Sequence, residues 1–128
     1  MLKAAIFCLA LNIYYEANVE PLEGKYAVAQ VTMNRVNNEL YPNTVCKVVY
    51  EPYQFSWTLT PKSPPKGEGW KEANRVAKVV LNGWAPDITK GATHYHNNSV
   101  SPEWAKRKYK VKTIGKHVFY KFPDKSRG

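Results

Sequence analysis

Apolar residues recur at steps of three and four from the start of the chain. Leu2, Ala5, Ile6, Leu9 and Ile13 form one stripe, which predicts a helix over about 2–17. Phe7 and Leu11 fall on the opposite side, so this helix should be buried over most of its circumference. Met1 to Leu11 opens like a signal peptide, with one Lys before a short apolar run. It lacks a small-residue cleavage site and continues at helical spacing into Asn12-Ile13-Tyr14-Tyr15-Glu16-Ala17, so it reads as the first helix. A second helix should start at Pro21, with Leu22, Tyr26, Ala29, Met33 and Val36 inward, and fade at Asn37-Asn38. Pro42-Asn43-Thr44 offers a cap for a short helix holding Val45, Val48 and Val49, although these β-branched residues also suit a strand.

Further on, Gln54 to Thr58 alternates polar and apolar and reads as a strand. Thr60 to Gly69, rich in Pro, Lys and Gly, is a loop. A third helix is expected from Trp70 to about Asn82, with Trp70, Ala73, Ala77, Val80 and Leu81 inward and Gly83 as its stop. Ala92 to Asn97 looks extended, and Ser101 to Trp104 is a capped turn. Lys106, Lys108, Lys110 and Lys112 alternate with Arg107, Tyr109, Val111 and Thr113. This strand pattern can turn at Ile114-Gly115-Lys116 and return through His117 to Phe122, with Val118, Tyr120 and Phe122 on one face. The sum is an α+β chain, with N-terminal helices and a small antiparallel sheet toward the C-terminus.

At 128 residues, 44% apolar and 13% aromatic, the chain supports one globular domain over residues 1–128. No apolar run is long enough to cross a bilayer as a helix, so membrane insertion is not expected. The net charge of +9 is local: residues 1–105 hold ten basic and nine acidic groups, whereas residues 106–128 hold nine basic groups and only Asp124. Such an excess suggests an anionic partner, and a bacterial envelope or DNA would fit the charge alone. Cys8 and Cys46 match no zinc spacing, and either one disulfide or two buried thiols is compatible with them.

Glu16 carries the most chemical information. A carboxylate on an apolar stripe loses hydration, which raises its pKa and suits it to hold and deliver a proton as a general acid. Glu20, four residues on, could be the second carboxylate of a glycosidase pair, but Pro21 favours an end-of-helix hydrogen-bonding residue. His94 and His96 form an H-x-H pair that would share one strand face and could serve zinc. A third ligand must then come from His117, Glu103, Asp87 or a cysteine, and no recognised spacing supplies it. The apolar setting of Cys46 argues against a nucleophilic thiol.

The segment Cys8-Leu9-Ala10-Leu11-Asn12-Ile13-Tyr14-Tyr15-Glu16-Ala17 resembles the opening of the SleB-like (spore-cortex-lytic) cell wall hydrolase family. The likeness continues collinearly through Pro21 to Val31, Asn34-Arg35-Val36, Tyr41 to Cys46, Val48-Val49-Tyr50 and Gln54-Phe55-Ser56-Trp57. It extends to Gly91 to His96, Pro102-Glu103-Trp104 and Ile114 to Tyr120. The resemblance implies a lysozyme-like α+β domain that cleaves peptidoglycan glycan strands between N-acetylmuramic acid and N-acetylglucosamine, as a lytic transglycosylase. By the same resemblance Glu16 is the catalytic acid and Gln54, Tyr95 and His117 line the cleft, with no metal or cofactor required. Asn18 and Val19 replace an Arg-Gly pair usual after the family's Glu-Ala, and Tyr53 stands where relatives often carry a Cys. With that Cys and its partner absent, the resemblance implies that Cys8 pairs with Cys46.

The expected protein is therefore a monomeric peptidoglycan-cleaving enzyme. Anionic envelope polymers are expected to meet Lys106, Lys108, Lys110 and Lys112, and nucleic acid is not expected as a partner. It should act on the cell wall or periplasm. The weak signal-peptide pattern suggests a bacteriophage endolysin released through a holin from the host cytoplasm, or an excised catalytic domain. Two alternatives are a zinc-dependent amidase or peptidase using His94 and His96, and a non-catalytic binder of anionic polymer.

Overall fold

The computed structural model describes residues 2–123. Asp124, Lys125 and Arg127, part of the C-terminal charge excess, lie outside the described residues. Four helices come first, α1 (Leu2–Ala17), α2 (Leu22–Val36), α3 (Val45–Val49) and α4 (Gly67–Leu81). Three strands follow, β1 (His94–Asn97), β2 (Lys110–Ile114) and β3 (His117–Tyr120), in an antiparallel sheet of order β1-β3-β2. Among the described residues no helix is long and apolar enough to cross a membrane.

Helix α1 is the structural axis. It packs on α2, α3 and α4, and every residue from Cys8 to Ile13 is buried, so its polar Asn12 is enclosed with its apolar neighbours. The expected stripe holds in the middle and fails at the start, where Leu2 is exposed and Ala5 and Ile6 are only partly covered.

Helix α2 corrects the single-stripe expectation. Leu22 is half exposed, and Tyr26, Met33 and Val36 are partly buried, while Ala27, Val28, Ala29, Val31 and Thr32 are fully enclosed. The reason is that α2 sits between two apolar clusters. Ala29 joins the helical core with Leu9, Ile13 and Ala77, whereas Ala27, Val28 and Val31 meet Phe119 and Ile114 of the sheet. A helix enclosed on two sides has no single apolar face, and small residues let both layers approach. Its buried Lys25 pairs with Glu72 of α4, and Arg35 also lies in the interior.

The segment expected as a strand at Gln54 to Thr58 is a 3-10 turn over Ser56–Thr58. Phe55 and Trp57 do point inward and their neighbours outward, but among the described residues no strand pairs with this segment. Thr58 closes the turn onto the Phe55 carbonyl through both its N–H and its hydroxyl. The short helix after Thr44 forms as expected, with the Thr44 hydroxyl accepting from the Lys47 N–H. Helix α4 starts at Gly67, three residues before the expected Trp70; Gly67 takes φ +75° at the entry, and Glu68 suits the positive end of the helix dipole. The Pro-Lys loop before it is tethered where the Tyr15 hydroxyl donates to the Ser63 carbonyl.

The Lys-rich segment is not one regular strand. Arg107–Tyr109 form a 3-10 turn, and a bulge interrupts pairing between Lys110 and Lys112, so the four lysines do not share one sheet face. In β3, Phe119 is fully buried against α2. The opposite face carries Tyr120, stacked on Phe122 and His96 and met edge-on by Trp104. Cys8 and Cys46 form a disulfide that ties α1 to α3, with Cα atoms 5.3 Å apart.

Candidate active site

Glu16 occupies the last turn of α1 and opens into a cleft of about 360 Å³ lined also by Arg35, Tyr53, Gln54, Phe55, His94, Tyr95 and Trp104. Four regions converge there: the end of α1, the end of α2, the chain after α3, and β1 with the turn before β2. The Tyr95 hydroxyl donates to Glu16 Oε1 at 2.6 Å. Burial raises the pKa of Glu16, and the Tyr95 hydrogen bond opposes that rise. Because Tyr95 occupies one carboxyl oxygen, the other is the one left to exchange a proton with a ligand.

Tyr95 is held on several sides. Its ring packs on Phe55 and Phe119, and His117 meets it edge-on at 5.0 Å. Burial, and then the adjacent Glu16, push its pKa well above the usual phenol range, so it remains a proton donor in ordinary buffers. His117, expected to line the cleft, instead stands beside Tyr95, 5% exposed, and supports that ring. The physical reason is strand alternation: His117 and Phe119 share the inward face of β3, beneath β1. Burial lowers the pKa of His117 despite the opposing pull of Glu20.

Gln54 does line the cleft. Its Oε1 accepts from Arg35 Nη1 at 2.9 Å, which leaves the NH₂ group to donate to a ligand. Arg35 also donates through Nε to the Thr93 carbonyl at 2.7 Å and stacks over Tyr41 and Phe55. Only 5% exposed, it is the positive charge beside the acid, and sequence reasoning missed its role. The available signal was its position four residues after Val31 and seven after Val28, on the helix stripe that α2 buries deepest. Tyr53 was also missed; it adopts φ +64° and is 84% exposed at the rim, where its ring is available to a flat ligand face.

Glu20 is not a second cleft carboxylate. It is buried, and its Oε1 accepts from the Lys116 N–H at 2.8 Å, pinning the β2–β3 turn to the end of α1. Gly115, at φ +57°, makes room for it, since a Cβ there would lie 2.4 Å from Glu20 Oε1. Glu16 is thus the only carboxylate among the lining residues.

His94 and His96 share a strand face, as the H-x-H spacing predicts, but both are engaged. His96 Nε2 meets the Tyr120 hydroxyl at 2.8 Å and Nδ1 meets the Asn97 carbonyl at 2.8 Å. His94 is packed among Trp104, Phe122 and Tyr41, and burial, aided by the charge of Arg35, lowers its pKa to about 4. Among the described residues no group of three or more His, Cys, Asp or Glu is arranged to hold a metal. The zinc-ligand expectation therefore lacks a third ligand.

The family model for Cell Wall Hydrolase matches residues 19–120. Spore cortex-lytic enzymes are similar in sequence: that of Oceanobacillus iheyensis is 36% identical over 118 residues, covering 88% of this chain and 40% of the relative. That of Bacillus subtilis is 34% identical over 116 residues, covering 87% of this chain and 35% of the relative. The chain thus spans well under half the length of these relatives. The fold is similar to the catalytic domain of the Bacillus cereus SleB protein, with a TM-score of 0.76 and 32% identity, covering 93% of this chain and 91% of that one. It is likewise similar to the catalytic domain of the germination-specific lytic transglycosylase SleB from Bacillus anthracis, with a TM-score of 0.75 and 34% identity, covering 91% of this chain and 93% of that one. Sequence and fold agree over nearly the whole chain: it belongs to the cell wall hydrolase family.

Proposed function

We propose that this chain is a single catalytic domain that cleaves the glycan strand of bacterial peptidoglycan between N-acetylmuramic acid and N-acetylglucosamine, as a lytic transglycosylase. The observation that carries this reading is a lone, half-buried carboxyl with a raised pKa in a cleft without a second carboxylate. Retaining and inverting glycosidases use two carboxyl groups, one of them to act as nucleophile or to activate water. A transglycosylase needs one. Glu16 gives its proton to the bridging oxygen as the C1–O bond breaks, and the carboxylate it becomes takes the proton of the C6 hydroxyl. The C6 oxygen then bonds to C1 and closes an anhydro ring, and Glu16 is left protonated for the next cycle. No water is consumed.

The cleft residues support each step. Tyr95 holds Glu16 in place, Gln54 offers amide hydrogens to sugar or acetamido oxygens, and Tyr53 and Trp104 offer ring faces for sugar. An acid with a raised pKa must be protonated to work, so clearing of purified peptidoglycan should persist above the ordinary carboxylate range and fall as Glu16 ionises. A pH–rate profile checks this; an alkaline limb at or below the ordinary carboxylate value would remove Glu16 from the acid role.

Wall attraction is a separate property of the same reading. Lys106, Lys108 and Lys110 are exposed and Lys112 partly so, and they project from a turn and a bulged strand beyond Trp104. We propose that they draw the domain to anionic envelope polymers. Changing all four to Gln should weaken sedimentation with purified walls and flatten its dependence on salt. Unchanged binding at low salt would reduce these charges to a solubility feature.

A further inference from the structure

Asn12 is fully buried one turn before Glu16, and a buried amide needs a reason. Its Oδ1 accepts from the Trp57 indole N–H at 2.8 Å. That indole can only donate, so it fixes which way the amide lies: oxygen toward Trp57, nitrogen away from it. Nδ2, buried without a hydrogen-bond partner, acts on the neighbouring Tyr95 phenol, whose pKa Asn12 lowers. Tyr95 in turn donates to Glu16 Oε1. The geometry points to Asn12 as a positioning residue for the proposed acid, the member of a Trp57–Asn12–Tyr95–Glu16 chain that fixes the direction of the Tyr95 proton.

The direction matters because a phenol has one proton. With an amide N–H aimed at its oxygen, Tyr95 keeps that proton for Glu16 Oε1, and the transferable proton of Glu16 is left on the oxygen that faces the ligand. Asn12 also works against the burial and the Glu16 charge that raise the pKa of Tyr95, which makes the phenol a better donor. Catalytic hydrogen bonds are often long without ligand and tighten on binding, so the bond from Nδ2 to Tyr95 is expected to form when a glycan fills the cleft. The other titratable and charged groups facing this pair are Arg35 from α2, Tyr53 from the chain after α3, His94 beside Tyr95 on β1, and His117 from β3 with Glu20 behind it. Burial lowers the pKa of both histidines, which favours their neutral forms.

The inference rests on the reading of Glu16 as acid, and the test separates the two. Asn12→Leu alone would orphan the Trp57 N–H, so it is paired with Trp57→Phe, which removes that donor as well. Relative to Trp57→Phe, the double variant should melt at a similar temperature but lose about 10-fold in kcat with KM little changed. Its alkaline limb should move to higher pH, because weaker donation from Tyr95 lets the pKa of Glu16 rise further. In a Tyr95→Phe background the same change should have almost no effect. Should the leucine variant not fold, Asn12→Thr keeps an acceptor for Trp57, turns a methyl toward Tyr95 and should give the same profile. Retained kcat and an unmoved limb, or a loss that persists undiminished without the Tyr95 hydroxyl, would overturn the role of Asn12. Full activity of Glu16→Gln would instead overturn the acid assignment.

Discussion

Glu16→Gln is expected to abolish clearing of purified peptidoglycan while the fold stays intact. Gln has nearly the same shape, and its Oε1 can still accept from Tyr95, but it has no proton to give at any working pH. Loss of a general acid costs about 10²–10⁴ in rate, and here the same group also serves as the base, so the upper part of that range is expected. The substitution should have the opposite effect on stability. The folded-state pKa of Glu16 is raised, so its contribution to stability is present below the ordinary carboxylate pKa and is lost as pH rises through the folded value. Above that folded value the wild type carries an ionised carboxylate against the pull of burial, and Gln carries none. The variant should therefore melt at or above the wild-type temperature at pH 7 and lose that advantage near pH 4. Thermal unfolding at the two pH values checks the sign, and a variant less stable at pH 7 than at pH 4, relative to wild type, would contradict it.

Loss of the Cys8–Cys46 disulfide should be the largest stability change available from one bond. It closes a loop with a sequence separation of 38, which by loop-closure entropy stabilises the fold by about 4 kcal/mol. For a chain of 128 residues this corresponds to a fall in Tm on the order of 10–15 °C. Activity well below the new Tm should survive, because Cys8 lies two turns of α1 before Glu16, roughly 12 Å along the axis. Cys8→Ala/Cys46→Ala, followed by calorimetry and by wall clearing at low temperature, tests both statements. An unchanged Tm would mean that packing of α1 on α3 suffices without the bond.

The helices were legible because their apolar residues repeat at helical spacing; α1 runs from Leu2 to Ala17, as its spacing predicts. Errors arose where a residue's surroundings are set by distant chain. The alternation of Gln54 to Trp57 records inward and outward positions correctly, but a strand also needs a neighbour, and that information is not local. The inward stripe of α2 was misread because the helix faces two layers, and its small residues leave a weak periodic signal. The alternating lysines lost their common face to a 3-10 turn and one bulge.

The candidate site divides in the same way. Glu16 could be found because a carboxylate on an apolar stripe is an anomaly visible in one helix. Tyr95 and Gln54 came only from the family resemblance, since their proximity to Glu16 depends on β1 and on the chain after α3. His117 belonged to the same set, but strand alternation turns it inward beside Tyr95. Arg35 and Asn12 passed unnoticed because a polar residue inside a buried helix reads as a fault in the pattern until its partners are known: Gln54 and the Thr93 carbonyl for one, Trp57 for the other.

The central claim is that one carboxyl cleaves the glycan with the sugar's own C6 hydroxyl as nucleophile. Digestion of purified peptidoglycan in ¹⁸O-water, followed by mass spectrometry of the fragments, tests it most directly. Transglycosylation predicts muropeptides one water lighter than hydrolysis products, ending in an anhydro-muramyl group, without the heavy isotope and resistant to borohydride. Muropeptides that carry one ¹⁸O at a reducible sugar end would contradict it and require a cleft that activates water.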